Sequence, residues 1–246
     1  MLATFAVLLL AGQPEIRHDL RTRTPVLTYH DMVPDRGPGA LWFDCTPQEF
    51  EQQLDWLAAN GAHFISIAQL YDHLTRGAKL PSKAIAITFA DNYLGFYGRA
   101  LPILRRRQIP VAMFVHTDFV GSSIGRPKMS WGQLQELDRE GLVTVASQTR
   151  THPADLRTLK QKALNEEMAG SKHALEAHLG HTVRFLAYPN GKFDSRVARA
   201  AASAGYEMAF TEQLMPADRS PSIFKVARYV HTKYRRAWSD AYGRGR

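Results

Sequence analysis

The sequence predicts an α/β domain built on a mostly parallel sheet or barrel. From Thr24 onward, short apolar runs alternate with segments of helical period, the pattern of repeated strand–helix units. The chain has 246 residues and is 45% apolar, enough for one barrel-sized domain with a sizeable core. Polar and ligand-capable side chains follow the apolar runs, and that is where a parallel barrel collects its chemistry.

Strands are expected at 26–29, 63–67, 84–89, 111–116, 143–146, 185–188, 207–211 and 226–230. The helices between them have readable starts. Thr46-Pro47-Gln48-Glu49 combines a capping box with proline at the first helical position. Ser66 with Gln69, and Ser130 with Gln133, have the same box spacing. The longest amphipathic stretch, 164–179, closes on Gly180. Loops rich in Pro, Gly and Ser at 34–39, 121–127 and 216–221 are too short to separate domains. The organisation expected is a leader at 1–23, one domain at 24–232 and a basic tail at 233–246.

The formal charge of +8 favours anionic partners, an anionic envelope surface among them. No basic stripe interleaves with aromatics, so a nucleic-acid partner is not expected. The excess is concentrated in Arg105-Arg106-Arg107 and in the tail residues Lys233, Arg235, Arg236, Arg244 and Arg246, which read as a solvated helix face and a mobile tail. The single cysteine, Cys45, excludes an intrachain disulfide and reads as a small buried hydrophobe.

Residues 2–11 are apolar and uncharged. The run is too short for a bilayer, which needs ~20 residues, and matches the h-region of a signal peptide, with Ala11-Gly12 as small residues for cleavage. No Lys or Arg precedes it, so a buried first strand and a mis-set start are the competing readings.

Three segments carry the chemistry. Thr88-Phe89-Ala90-Asp91-Asn92 ends an apolar run, Ser147-Gln148-Thr149-Arg150-Thr151-His152-Pro153 follows another, and Arg184 to Gly191 reads Arg-Phe-Leu-Ala-Tyr-Pro-Asn-Gly. Together they resemble the polysaccharide deacetylases, whose first motif is Thr-Phe-Asp-Asp-Gly and whose second is Ser-His-Thr-x-x-His-Pro. The strand 25–30, the helix-to-strand step 60–66 and the helix 100–104 are also similar, so the resemblance spans roughly Thr24 to His231.

The resemblance implies a distorted (β/α) barrel, hydrolysis of N-acetyl groups on an envelope or extracellular glycan, and a divalent metal, usually zinc. It implies that Asp91, Gln148 and His152 hold the metal, that Arg184 tunes the base, and that Tyr188, Pro189 and Asn190 line the sugar site. The pattern breaks at Ala90, where the family has its base, at Asn92 for glycine, and at Gln148 for a metal histidine. Three changes read as divergence rather than a single knock-out. Asp31 is the first candidate to replace the base, and His116 and His231 to supply the missing imidazole. Two functions stay open: a hydrolase with reduced or rewired chemistry, or a glycan-binding scaffold using Trp42, Tyr188 and Trp131 as stacking rings. N-terminal sequencing of the protein from its native cell tests the leader. The expected result is a mature chain beginning near Gly12 outside the cytoplasm, against one that retains Met1 in the cytoplasmic fraction.

Overall fold

Eight strands and seven helices follow one another in the computed structural model, which describes residues 16, 23–243 and 245. The apolar run 2–11 lies outside the described residues. The strands are β1 (Val26–Tyr29), β2 (His63–Ile65), β3 (Ala84–Ala90), β4 (Val111–Val115), β5 (Val143–Ser147), β6 (Phe185–Ala187), β7 (Met208–Phe210) and β8 (Tyr229–Val230). They form one sheet in the order β7-β6-β5-β4-β3-β1-β8, and β2 pairs only with β3. Every strand pairing is parallel. A parallel bridge from Phe210 to Val226 brings β7 towards the segment leading into β8, so the sheet curls into a half-barrel with helices outside.

The helices are α1 (Pro47–Ala59), α2 (Ile67–Arg76), α3 (Leu101–Arg107), α4 (Trp131–Glu140), α5 (Gln161–Leu179), α6 (Ser195–Ser203) and α7 (Tyr234–Tyr242). The capping boxes at Thr46, Ser66 and Ser130 all form as read, each satisfying two otherwise orphaned N–H groups. Because Ser66 caps α2, β2 ends at Ile65, two residues short of the expected strand. β8 is shorter than expected for a similar reason. Val226 and Ala227 direct their N–H groups to Ala209 O and Ser220 Oγ, so ladder pairing with β1 begins only at Tyr229.

Alternation along β3 sorts its side chains into two layers. Phe89 packs outward, 5.7 Å from the Phe50 ring of α1 and 4.7 Å from Phe96. Thr88 and Ala90 therefore face the barrel interior. There Arg228 is 1% exposed and donates to Thr211 O (3.1 Å) and to Thr28 and Thr88 Oγ1 (3.4 Å each), with its guanidinium 5.1 Å from the Phe114 ring.

The arginine run is not free. Arg105 pairs with Glu136 and Glu140 on α4, while Arg106 and Arg107 pair with Glu51 and Asp55 on α1, so α3 is bracketed by salt bridges. Within the tail read as mobile, Tyr234–Tyr242 form α7, while Arg244 and Arg246 lie outside the described residues. Trp238 of α7 is 2% exposed and meets the Trp56 ring edge-on at 6.1 Å. Cys45 is buried, and burial pushes its thiol up to about 12, which makes it inert at neutral pH. The Trp238→Ala variant is expected to lose about 3–5 kcal/mol of stability in urea unfolding. An unchanged midpoint would mean the helix contributes nothing to the fold.

Candidate functional site

The site sits where β3, β4 and β5 end. Asp91 (φ 69°) and Asn92 (φ 39°) turn left-handed directly after β3, and Thr149 (φ 69°) and His152 (φ 53°) do so after β5. Of the seven non-glycine residues with positive φ among those described, Asn190 is also on this rim, and only Lys83 and Gln108 lie elsewhere. Such a conformation costs of order 1–3 kcal/mol per residue and persists where its surroundings enforce it. Asn92, standing for the family's glycine, is a residue type that tolerates it.

The two turns are stitched together. Gln148 Oε1 accepts from Asp91 N–H at 2.9 Å, and His116 Nε2 lies 3.0 Å from Asp91 O, which also accepts from Lys128 Nζ at 2.9 Å. The Glu167 carboxylate on α5 holds the second turn by accepting from the N–H groups of Arg150 and Thr151 (2.9 Å each) and from Thr151 Oγ1 (2.6 Å). Asp91 Oδ1 faces His152 Nε2 at 3.5 Å and has no hydrogen-bond partner. Burial pushes this carboxyl up, but the fields of His30, His152, His116 and Lys128 outweigh it and hold Asp91 below the usual carboxylate range.

Two imidazoles of the site are lowered. Burial lowers His30 despite Asp91 and Glu212, and lowers His116 to about 4 with Lys128 adding to the fall. Lys128, seated 3.4 Å over the Tyr93 ring, is lowered by burial to about 8. Arg228 is lowered by burial to about 10, and its nearest acids, Glu212 and Asp91, act on it at longer range than its hydroxyl and carbonyl acceptors.

Of the residues expected to hold a metal, Asp91 and His152 turn donor atoms towards each other. Gln148 comes beside them, but its oxygen is taken by the Asp91 backbone. The other expectations need correction. Arg184 stands before β6, at the opposite end of the barrel, paired with Glu207 at 2.8 Å and stacked 4.8 Å from the Tyr71 ring, so it reaches no group on the rim. Asp31 is buried near the rim, but its Oδ2 faces Arg126 at 3.1 Å, alongside Asp44. His231 is 1% exposed and stacks 4.9 Å from Tyr29, with His30, Arg36 and Glu49 as its charged neighbours, one layer behind the site.

Tyr188 is fully buried, its hydroxyl donating to Phe224 O at 3.1 Å, and Pro189 is buried beside it. Only Asn190 of that trio is exposed on the rim, where its Nδ2 donates to Ala154 O at 3.2 Å. Trp131 stacks on His178 at 3.8 Å, which leaves Trp42 as the openly exposed ring of the three proposed for stacking.

Sequence reading gave no role to His30, Lys128 or Arg228. His30 directly follows an apolar run, which placed it on the rim in sequence without assigning it a task. Lys128 and Arg228 gave no such signal, one lying beyond a loop and the other inside an apolar run.

The donor set can be compared with what a metal requires. Two ligands on a tetrahedral ion with ~2.1 Å bonds lie about 3.4 Å apart, and the Asp91–His152 pair matches that. A third donor does not converge: Gln148 Oε1 and His116 Nε2 both engage the Asp91 backbone. Among the described residues no group of three or more His, Cys, Asp or Glu gathers to hold an ion. The set therefore does not fit a metal held by three protein ligands.

The parallel half-barrel and its two motif turns define a class, and the comparisons give it a name. The chain belongs to the polysaccharide deacetylase family, whose profile matches residues 77–209. Members of this family are generally metal-dependent, a pattern from which this donor set departs. The poly-beta-1,6-N-acetyl-D-glucosamine N-deacetylase of Staphylococcus epidermidis is 29% identical over 201 residues, 76% of this chain and 68% of the relative. Among solved structures, IcaB from Ammonifex degensii is similar with a TM-score of 0.77 at 28% identity, covering 89% of this chain and 98% of that one. The Streptococcus pyogenes deacetylase PplD, solved in complex with acetate, shares the fold with a TM-score of 0.77 at 24% identity, covering 85% of this chain and 92% of its own.

Neither His231 nitrogen has a hydrogen bond of good geometry, and burial lowers the ring to about 4, with His30 and Arg36 adding and Glu49 and the Asp44 backbone opposing. A folded value below the unfolded one means that the unfolded chain binds the extra proton first. Stability from this group is therefore full above about pH 6.5 and is lost as pH falls towards about 4. The His231→Phe variant keeps the stack on Tyr29 and is expected to flatten that loss in urea unfolding between pH 7 and 4. An identical pH profile in both proteins would refute the assignment.

Proposed function

We propose that this protein binds an N-acetylated polysaccharide of the poly-N-acetylglucosamine class in the deacetylase groove, and that its hydrolytic step is lost or strongly reduced. The observation that carries the reading is Ala90. It is 1% exposed on the interior face of β3, at the position where the family has its base, and it has no group that can take a proton. Losing a general base typically costs ~10²–10⁴-fold in rate. Gln148 adds to this, because its neutral oxygen already holds the Asp91 backbone. Meanwhile the strained turns at Asp91, Asn92, Thr149 and His152 are kept, which supports a retained groove. The substrate class is supported by relatives that act on N-acetylated polysaccharides such as poly-beta-1,6-N-acetyl-D-glucosamine.

A rewired hydrolase is the second reading, and one observation favours it. The partnerless Asp91 Oδ1 is aimed at His152, with the neutral imidazole of His30 among its near neighbours. No step is assigned through a metal, because the donor set does not complete a site for one.

Acetate release from β-1,6-linked N-acetylglucosamine oligomers, measured with zinc added, separates the two. The parent is expected to bind oligomers and release little acetate. The double variant Ala90→Asp with Gln148→His is expected to release it ~10²-fold faster or more, with each single variant well below the double. A parent as active as the double variant would establish the rewired hydrolase, with another group as base. A parent that binds no oligomer would overturn the glycan reading itself.

A further inference from the structure

Two solvent-exposed rings stand on opposite flanks of the motif turns. Trp42, on the loop between β1 and α1, is 63% exposed and lies 6.5 Å from the His30 ring. Phe119, after β4, is 38% exposed and lies 5.0 Å from the His116 ring, which is itself 5.5 Å from His152. His30 and His116 both act on Asp91. The sequence of groups across the mouth is therefore Trp42, His30, the Asp91–His152 pair, His116 and Phe119.

The loop that presents Trp42 is rigidly built. Asp44 is fully buried and accepts from Leu41 N–H at 2.5 Å, and Asp44 N–H returns to Leu41 O at 3.0 Å. Arg126 clasps both Asp44 oxygens and also reaches Asp31, pinning the loop that follows β4 to the loop that follows β1. Arg36 adds a bond to Asp44 O at 2.8 Å. The Phe43 ring meets Trp42 edge-on at 5.5 Å and sets the angle of the indole. A large apolar ring left this exposed and held this firmly is pre-organised for a partner, since its ordering cost is met before binding.

Building on the glycan-binding reading, we propose that Trp42 and Phe119 are two sugar-stacking subsites. A β-linked N-acetylhexosamine chain crosses the mouth between them with one acetamido group over the Asp91–His152 pair. β1 and β4 stand two places apart in the sheet, about 10 Å at ~4.8 Å per strand. One pyranose ring does not bridge that span, so affinity must grow with chain length until both rings are covered. The C–H face of a pyranose packs on an aromatic ring, and its hydroxyls stay in solvent.

The test is titration calorimetry with β-1,6-linked N-acetylglucosamine oligomers from dimer to hexamer, on the parent, Trp42→Ala, Phe119→Ala, the double variant and Trp42→Phe. Affinity in the parent is expected to rise with length. Each alanine variant should lose about tenfold for the hexamer and much less for the dimer, which corresponds to ~1.4 kcal/mol per ring. The double variant should lose the length dependence, and Trp42→Phe should restore most of the hexamer affinity. Unfolding midpoints matched to the parent exclude misfolding. A parent that binds hexamer as tightly as its alanine variants do would overturn the subsites while leaving the glycan reading intact. A parent that binds no oligomer would overturn both. Loss of vesicle binding in Trp42→Ala with glycan affinity unchanged would assign the ring to a lipid surface instead.

Discussion

Inside the half-barrel the Arg228 guanidinium holds three strands to one another. It joins β1 through Thr28, β3 through Thr88 and the end of β7 through Thr211 O, between the rings of Phe114 and Phe210. A buried cation is tolerated only when its donors are occupied, and here neutral hydroxyl and carbonyl oxygens do this. Ala90 lies one pleat above Thr88 on the same face. A carboxylate at that position would have faced the interior that this cation fills. Burial is the largest cause that lowers His30 above it, with Asp91 and Glu212 opposing and Arg228 adding to the fall.

The rim follows from the same geometry. A parallel sheet delivers the ends of β3, β4 and β5 to one edge, and left-handed turns at Asp91, Asn92, Thr149 and His152 direct their side chains together. The turns are held by side-chain clamps. Glu167 caps the second turn, and Gln148, His116 and Lys128 converge on the Asp91 backbone. Gln148 Oε1 and His116 Nε2 are thereby engaged in fixing the backbone.

The surface charge is also distributed by structure. The arginine run on α3 reads as a solvated helix face in sequence, and in the fold acids on α1 and α4 neutralise it. Exposed pairs of this kind are worth little each, so their effect is on the field the protein presents rather than on its stability. These pairs add nothing to the net charge, so the excess of +8 is carried by basic groups outside them.

The sequence by itself determined the order of elements, the helix starts and the family, because periodicity, capping boxes and motif spacing are local and each is complete within a few residues. Motif resemblance also singled out Asp91 and His152, and the turns that follow β3 and β5 bring the two side chains to face each other. Tertiary structure alone decided which groups face the site. Arg184 and Arg228 are equivalent as residue types, yet one lies at the wrong end of the barrel and the other lies beneath the rim. Asp31 is drawn aside by Arg126, His231 is covered by Tyr29, and Tyr188 points into the core. Alternation along a strand fixes which face a side chain takes. What meets it there comes from segments as much as 200 residues away, as Arg228 and Thr28 do, and no local pattern encodes that partner.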